Sequence, residues 1–465
     1  MSKNRNIDLT NGSLARAILG LAIPVVINSF LQTMYNLTDT FWLGKLGTEE
    51  LAAINLVTPV QNVVQNFGSG LTVAGAVLIS QYIGAKRYKE ACSMANQIFV
   101  CAMMFALFCA GILTICSGKI VLWLGADGIT YTYAKWYLSL VILDMPFLYI
   151  VNMFQSINQA QGNTVSPMFL NLLGISINMI LDPVLMIGCD WGVKGAALAT
   201  VLAKLVPAVI AIVLLHKKEN VVFLDLRNLR FRKDMLKNIL IIGLPTAVGG
   251  STMQFGFLLM SKSVYVYGTQ AMAAYGVGNK INGLISLPSN GIGSAVSTIV
   301  GQNIGAGNTG RAQKGYRLSM LMIVVFLVIG GFILSRMPIS RAMVRIFTHD
   351  ADVETMAAEF LSIMAFWVFT NGVYNCTMGL HQGAGHTEVT MLVDVTRLWV
   401  FRFATLFVCQ NILDMGVRSI WYSVVVSNGL SAIVLYIIYL TGYWKHPRGA
   451  NTESKSSKAK RLIDA

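Results

Sequence analysis

Gln81-Tyr82-Ile83-Gly84-Ala85 and Gln302-Asn303-Ile304-Gly305-Ala306 agree at four of five positions, 221 residues apart. The same offset sets Pro24 over Pro245, Gly47-Thr48 over Gly268-Thr269, Ala52-Ala53 over Ala273-Ala274 and Gly70 over Gly291. Further along it drifts to 223, with Asp127 over Asp350, Leu138-Ser139 over Leu361-Ser362 and Asn152 over Asn375. It reaches 224 at Asp190 over Asp414 and Gly192-Val193 over Gly416-Val417. Single Ala or Gly matches carry little weight in a chain with 42 glycines. The five-residue block and the ordered drift carry more, and they read as a tandem duplication. The predicted organisation is a first half over residues 1–215, a linker over 216–236, a second half over 237–446 and a polar tail over 447–465.

Both halves are written for lipid. Of 465 residues 55% are hydrophobic and 12% charged, against about a quarter charged in a soluble domain. A bilayer-spanning helix needs about 20 apolar residues. By that rule twelve spans begin near residues 14, 51, 92, 132, 165, 193, 237, 271, 316, 355, 389 and 418. The fold class is therefore all-α integral membrane, twelve transmembrane helices in two pseudo-symmetric six-helix bundles. Six spans per half is an even number, so both halves enter the membrane in one orientation, the parallel kind of transporter repeat. The first apolar run, 14–43, is too long for a signal-peptide core.

Basic residues set the orientation. If the N-terminus is cytoplasmic, inside segments hold 22 of the 35 Lys and Arg residues and outside loops nine. That bias predicts a multi-pass protein of the cell membrane with both termini cytoplasmic. A net charge of +14 then points to anionic lipid as the partner, not nucleic acid. The linker is basic and mixed in sign and reads as a surface helix. The tail reads as disordered. Seven cysteines without a C-x-x-C pair read as free thiols. No G-x-x-x-x-G-K-[ST] occurs, so no ATP-binding loop is present, and no enzyme motif such as H-E-x-x-H or G-x-S-x-G is found.

Ionisable groups inside spans are the functional candidates, because each costs at least a few kcal/mol unless paired or hydrated. Asp39 lies in span 1 with Tyr35 one turn earlier on the same face. Asp182 lies in span 5 with Asn178 one turn earlier and Pro183 next to it. Pro183 removes a backbone donor and can kink the helix, which would free carbonyls beside the carboxylate. Two carboxylates on different helices, each with a polar neighbour, suit a proton or Na⁺. The bland alternative puts them at helix ends in headgroup water. Asp144, before Met145-Pro146, either pairs or meets the outer interface. Asp394 and Arg397 in span 11 can pair along one face, and Arg402 follows them. Lys280 either lines a cavity or snorkels. His381 and His386 at a turn are weak evidence for a metal.

These motifs together resemble the multidrug and toxic compound extrusion (MATE) family over nearly the whole chain. Asp39-Thr40-Phe41-Trp42-Leu43-Gly44-Lys45-Leu46-Gly47 is similar to its span 1 signature, and the two Gln-x-x-Gly-Ala segments to its paired motif. Gln161-Gly162-Asn163-Thr164, Gly385-His386-Thr387 and Asn178-x-x-x-Asp182-Pro183 resemble further family motifs. The resemblance implies alternating access and export of drugs, organic cations and other amphipathic compounds in exchange for H⁺ or Na⁺, with no other cofactor and no enzyme activity. On the DinF-like branch, the coupling site would be Asp39, Asp182, Asn178, Tyr35, Asn152 and Thr200, with Na⁺, if used, at Asp39, Asp182 and Asn178. The NorM-typified branch adds acidic residues in spans 7 and 10. Gln254 and Asn371 stand there in this chain, and with Lys280 they are candidates for a substrate cavity. A monomer suffices for such a cycle. The alternative is a lipid-linked oligosaccharide flippase of the same superfamily, which would favour fourteen spans and a strongly cationic cavity.

Overall fold

The computed structural model describes residues 7–449 other than 219 and 229. Among the described residues twelve membrane-length helical runs follow one another. In the first half they are α1 (Leu14–Leu43), α2 (Thr48–Gly84), α3 (Tyr88–Trp123), α4 (Gly128–Ala160), α5 (Val165–Gly188) and α6 (Gly192–Leu215). In the second they are α7 (Lys233–Tyr265), α8 (Thr269–Gly305), α9 (Thr309–Leu334), α10 (Ala351–Phe366 plus Val368–Gly383), α11 (387–411) and α12 (Arg418–Leu440). The expected starts hold to within seven residues, the largest gap being at α9. Among the described residues, nine of these runs are long and apolar enough to cross a bilayer unaided. The α10 pair, bent by 50° about Trp367, makes a tenth. The other two are α8, which carries Asn279, Lys280 and Asn282, and α11, which a π-helical turn interrupts at Thr396–Arg402.

The duplication is visible in backbone geometry. Left-handed residues recur at the repeat offsets: Lys86 (φ 58°) and Gly307 (75°), Gly162 (82°) and Gly385 (85°), Asp190 (57°) and Asp414 (48°), Gly192 (49°) and Gly416 (57°). Left-handed non-glycine residues are uncommon, so the two aspartates mark equivalent turns by conformation as well as by type.

Two compact units form. One contains Ile7 and Ile27–Ala247, the other Asp8–Val26 and Val248 onward. Ile27 and Val248 each come three residues after a repeat proline, Pro24 or Pro245. A proline inside a helix removes one backbone hydrogen bond, so each helix changes unit just beyond its weakest turn. The linker differs from the expected surface helix. Its described residues up to 232 run as irregular chain with one 3₁₀ turn, Leu226–Asn228, and 233–236 already belong to α7. Packing explains the difference: Val222 and Leu224 are buried, and side-chain amides hold the backbone in place of helical bonds. Asn96 donates to Asp225 O at 2.9 Å and accepts from Asp225 N at 3.0 Å, and Gln161 accepts from Val222 N at 3.2 Å. The tail beyond residue 449 lies outside the described residues.

In the second unit, α8 and α10 pack backbone to backbone. A Cβ on Gly379 would stand 2.2 Å from Gly293 O, and one on Gly383 would stand 2.4 Å from Ser297 O. Neither carbonyl can retreat without moving its helix. Gly276, also on α8, has open space around it. Overpacking costs about 1–3 kcal/mol. Gly379→Ala should therefore lower the thermal midpoint of the purified protein by about 3 °C or more, with Gly276→Ala at or above wild type. Equal midpoints for the two variants in a thermal-shift assay would contradict this packing.

Candidate functional site

Two polar stripes meet in the first unit. On α1, Asn28, Gln32, Tyr35 and Asp39 follow helical spacing along one face, and on α5 Asn171, Asn178 and Asp182 do the same. Asn171 donates to Asn28 Oδ1 at 3.0 Å. Between the stripes lies a cavity of about 180 Å³ whose walls include Gln32, Tyr35, Asn152, Asn178, Thr200 and Lys204. Four of the six expected coupling residues thus share one cavity: Tyr35, Asn152, Asn178 and Thr200.

The two carboxylates sit beside it in different ways. Asp182 is fully buried and accepts a 3.1 Å hydrogen bond from Asn178 Nδ2 through Oδ1. Its Oδ2 and the Asn178 Oδ1 are both buried without a partner. Two acceptor atoms in one turn of helix, with no donor facing them, are suited to a proton or a small cation. Asp39 is half-buried, within electrostatic range of Asp182 and of Lys204. The hydroxyls of Tyr35 and Tyr137 feel both carboxylates. Local backbone favours the arrangement. Pro183 ends the α-helical part of α5, and the chain continues as a π turn, Val184–Gly188, closed by Cys189 N to Val184 O at 2.8 Å. Gly195 lets α6 approach that turn, since a Cβ there would stand 2.5 Å from Leu185 O.

Of the two expectations for Asp144, pairing is the one seen. The residue is 2% exposed, in a 3₁₀ turn within α4, and pairs with Lys204 of α6. Lys204 was not among the expected site residues, although it stands one turn from Thr200 on the same helix face. The same stripe logic that singles out Tyr35 and Asn178 extends to Asn28, Gln32 and Asn171.

The second unit is arranged differently. Gln254 and Lys280 are exposed on their helices. Asn371 donates to Ser286 Oγ at 3.0 Å and lines a crevice of about 10 Å³. Asp394 and Arg397 pair at 3.1 Å, as their spacing predicts, and the Tyr374 hydroxyl donates to Asp394. His386 bonds Glu388 and the His446 carbonyl, at 3.1 and 2.9 Å. Among the described residues no group of three or more His, Cys, Asp or Glu side chains is placed to hold a metal.

Known proteins share this architecture. A family model described as MatE matches residues 24–184 and 245–408, one match per half. A probable multidrug resistance protein NorM of Thermotoga maritima is 24% identical over 444 residues, 93% of each chain. The multidrug export protein MepA of Staphylococcus aureus is 25% identical over 427 residues, 91% of this chain and 93% of its own. Among solved structures, an outward-facing multidrug resistance MATE family transporter of the MOP superfamily superposes with a TM-score of 0.87 at 23% identity, covering 94% of this chain and 97% of its own. A MATE in a bent conformation covers 100% of both chains with a TM-score of 0.85 at 21% identity. With both halves matched in order, this chain belongs to the MatE (multidrug and toxic compound extrusion) family.

Proposed function

We propose that this protein is a secondary active exporter of drugs and organic cations in the cell membrane, acting as a monomer with both termini cytoplasmic. The exchanged ion, H⁺ or Na⁺, binds in the first unit at Asp182 and Asn178, with Asp39 as the second carboxylate. The observation that carries this reading is the pair of buried acceptors, Asp182 Oδ2 and Asn178 Oδ1, beside a polar cavity. A cavity of about 180 Å³ is smaller than the roughly 300 Å³ at which drug pockets begin. It has room for a hydrated ion, not for the exported compound. The glutamine and asparagine at 254 and 371 offer no second-unit carboxylate at those places, which supports the DinF-like arrangement. Ion binding supplies the charge that lets Asp182 stay buried. Release lets the carboxylate favour a hydrated state, and exchange links the two conformations.

Lys204 has a positioning role. It neutralises Asp144, and its charge reaches Asp39. Its ammonium is thus engaged with Asp144, which leaves Asp182 to the mobile ion.

The first expectation concerns transport. In proteoliposomes with a Na⁺ gradient or a pH gradient imposed separately, one gradient drives efflux of a cationic dye. Asp182→Asn and Asp39→Asn each lower that efflux by about tenfold or more at unchanged protein level in the membrane. Full efflux in both variants would remove the site from the mechanism. The second expectation concerns the ion pair. Lys204→Met strands a buried carboxylate, and Asp144→Asn strands a partly buried ammonium. Breaking such a pair costs about 3–5 kcal/mol, so each single variant should unfold earlier on heating, while the double variant recovers most of the loss. Additive losses in the double variant would mean that the two charges do not interact.

A further inference from the structure

The linker and the start of α7 carry a dense positive charge that the chain does not balance. Arg227, Arg230, Arg232, Lys233 and Lys237 are all exposed, and among the described residues no carboxylate pairs with any of them. The acidic residues between 220 and 237 are Asp225, which is half-buried, and Asp234.

This charge sits on a fixed platform. Gln97 of α3 is fully buried, accepts from Arg232 N at 3.1 Å and donates to Met235 Sδ at 3.0 Å. Asn96 next to it holds Asp225 through both of its amide atoms. The run Arg230-Phe231-Arg232 is therefore anchored at its base, and its three side chains are exposed. Phe231 is 59% exposed between the two arginines. An aromatic ring flanked by cations is suited to the border between lipid headgroups and hydrocarbon.

The first turns of α7 show where that border runs. Leu236, Leu240 and Leu244 are exposed at four-residue spacing, a stripe along one helix face turned to lipid. At about 100° per residue, Lys233 and Lys237 fall on the same side, about 60° and about 100° from Leu236. Asp234 falls about 160° away from Leu236, on the opposite side. The lipid-facing stripe thus passes from leucine to lysine within one turn and meets the arginines of the linker there.

We propose that this surface binds one anionic phospholipid of the surrounding bilayer. The phosphate lies among Arg230, Arg232 and Lys233, Phe231 sits at headgroup level, and an acyl chain runs along Leu236, Leu240 and Leu244. Arg227 and Lys237 add to the attraction. Continuity of the cationic patch with an exposed apolar stripe favours a lipid over a soluble phosphate ester, which would use the charges and leave the stripe idle. None of these residues lines the cavity beside Asp182, so the site stands apart from ion exchange there.

The test is hydrogen exchange of the purified full-length protein in nanodiscs, read over residues 226–237. Discs of phosphatidylcholine are compared with discs in which phosphatidylglycerol replaces part of it. Wild type should exchange about threefold or more slowly in the phosphatidylglycerol discs, and high salt should erase the difference. Arg230→Gln/Arg232→Gln/Lys233→Gln should exchange alike in both discs. Lys119→Gln/Lys135→Gln/Lys194→Gln, which removes as many charges at the far end of the first-unit helices, should keep the wild-type difference. Equal exchange of wild type in the two discs overturns the proposal. So does a difference that survives high salt, persists in the folded linker variant or is lost in the far-end variant. Equal slowing by soluble glycerol 3-phosphate in phosphatidylcholine discs would overturn the lipid as ligand. The wild-type arms decide the matter even if the linker variant does not fold.

Discussion

A carboxylate buried among membrane helices must be neutralised, and among the described residues no cation pairs with Asp182. Lys204 pairs with Asp144 and its charge reaches Asp39, whereas Asp182 lies in the field of Asp39 and accepts from Asn178. The effective penalty for an unpaired buried ion is several kcal/mol, far more than a single amide hydrogen bond returns. Asp144 takes the lysine, so Asp182 is left with Asn178 and an unpartnered oxygen. The surrounding features follow from that deficit. Polar stripes on α1 and α5 bring water-compatible side chains to the carboxylates. The proline and the π turn after Asp182 interrupt the α-helical ladder beside the carboxylate. A close approach at Gly195 keeps α6, and with it Thr200 and Lys204, against that turn.

Duplication copied the frame and not the charges. The turns at Asp190 and Asp414 keep the same left-handed backbone. At the repeat offset Asp39 falls on Met260, which is fully buried in an apolar cluster. Asp182 falls on Thr405, whose hydroxyl donates to Phe401 O at 2.7 Å within its own helix. The second unit instead buries arginine, at a π turn of its own. Each unit thus has a break in a membrane helix, and the breaks carry groups of opposite sign.

What could be read in the sequence was what is local. The helix 14–43 and the starts of most others follow from apolar run length. The Asn178–Asp182 bond and the Asp394–Arg397 pair follow from spacing on one helix face. The repeat needs only alignment of the chain with itself. The Asp144–Lys204 pair was not legible, because its members are 60 residues apart and no periodicity links α4 to α6. The linker was misread for a related reason. Its charge pattern permits a helix, but Asn96, Gln97 and Gln161, all distant in sequence, hold it in another path. The π turn at Thr396–Arg402 leaves no trace in composition, so the burial of Arg402 against Ser427 and Asn428 was not legible either.

The central claim is that a single mobile ion supplies the charge missing around Asp182 and competes with export of the substrate. Equilibrium binding of a cationic dye to the purified protein, measured over a range of pH and of Na⁺ concentration, tests it most directly. The account predicts that one of the two ions weakens dye binding to wild type, and that the effect disappears in Asp182→Asn. An ion effect of the same size in Asp182→Asn would contradict it.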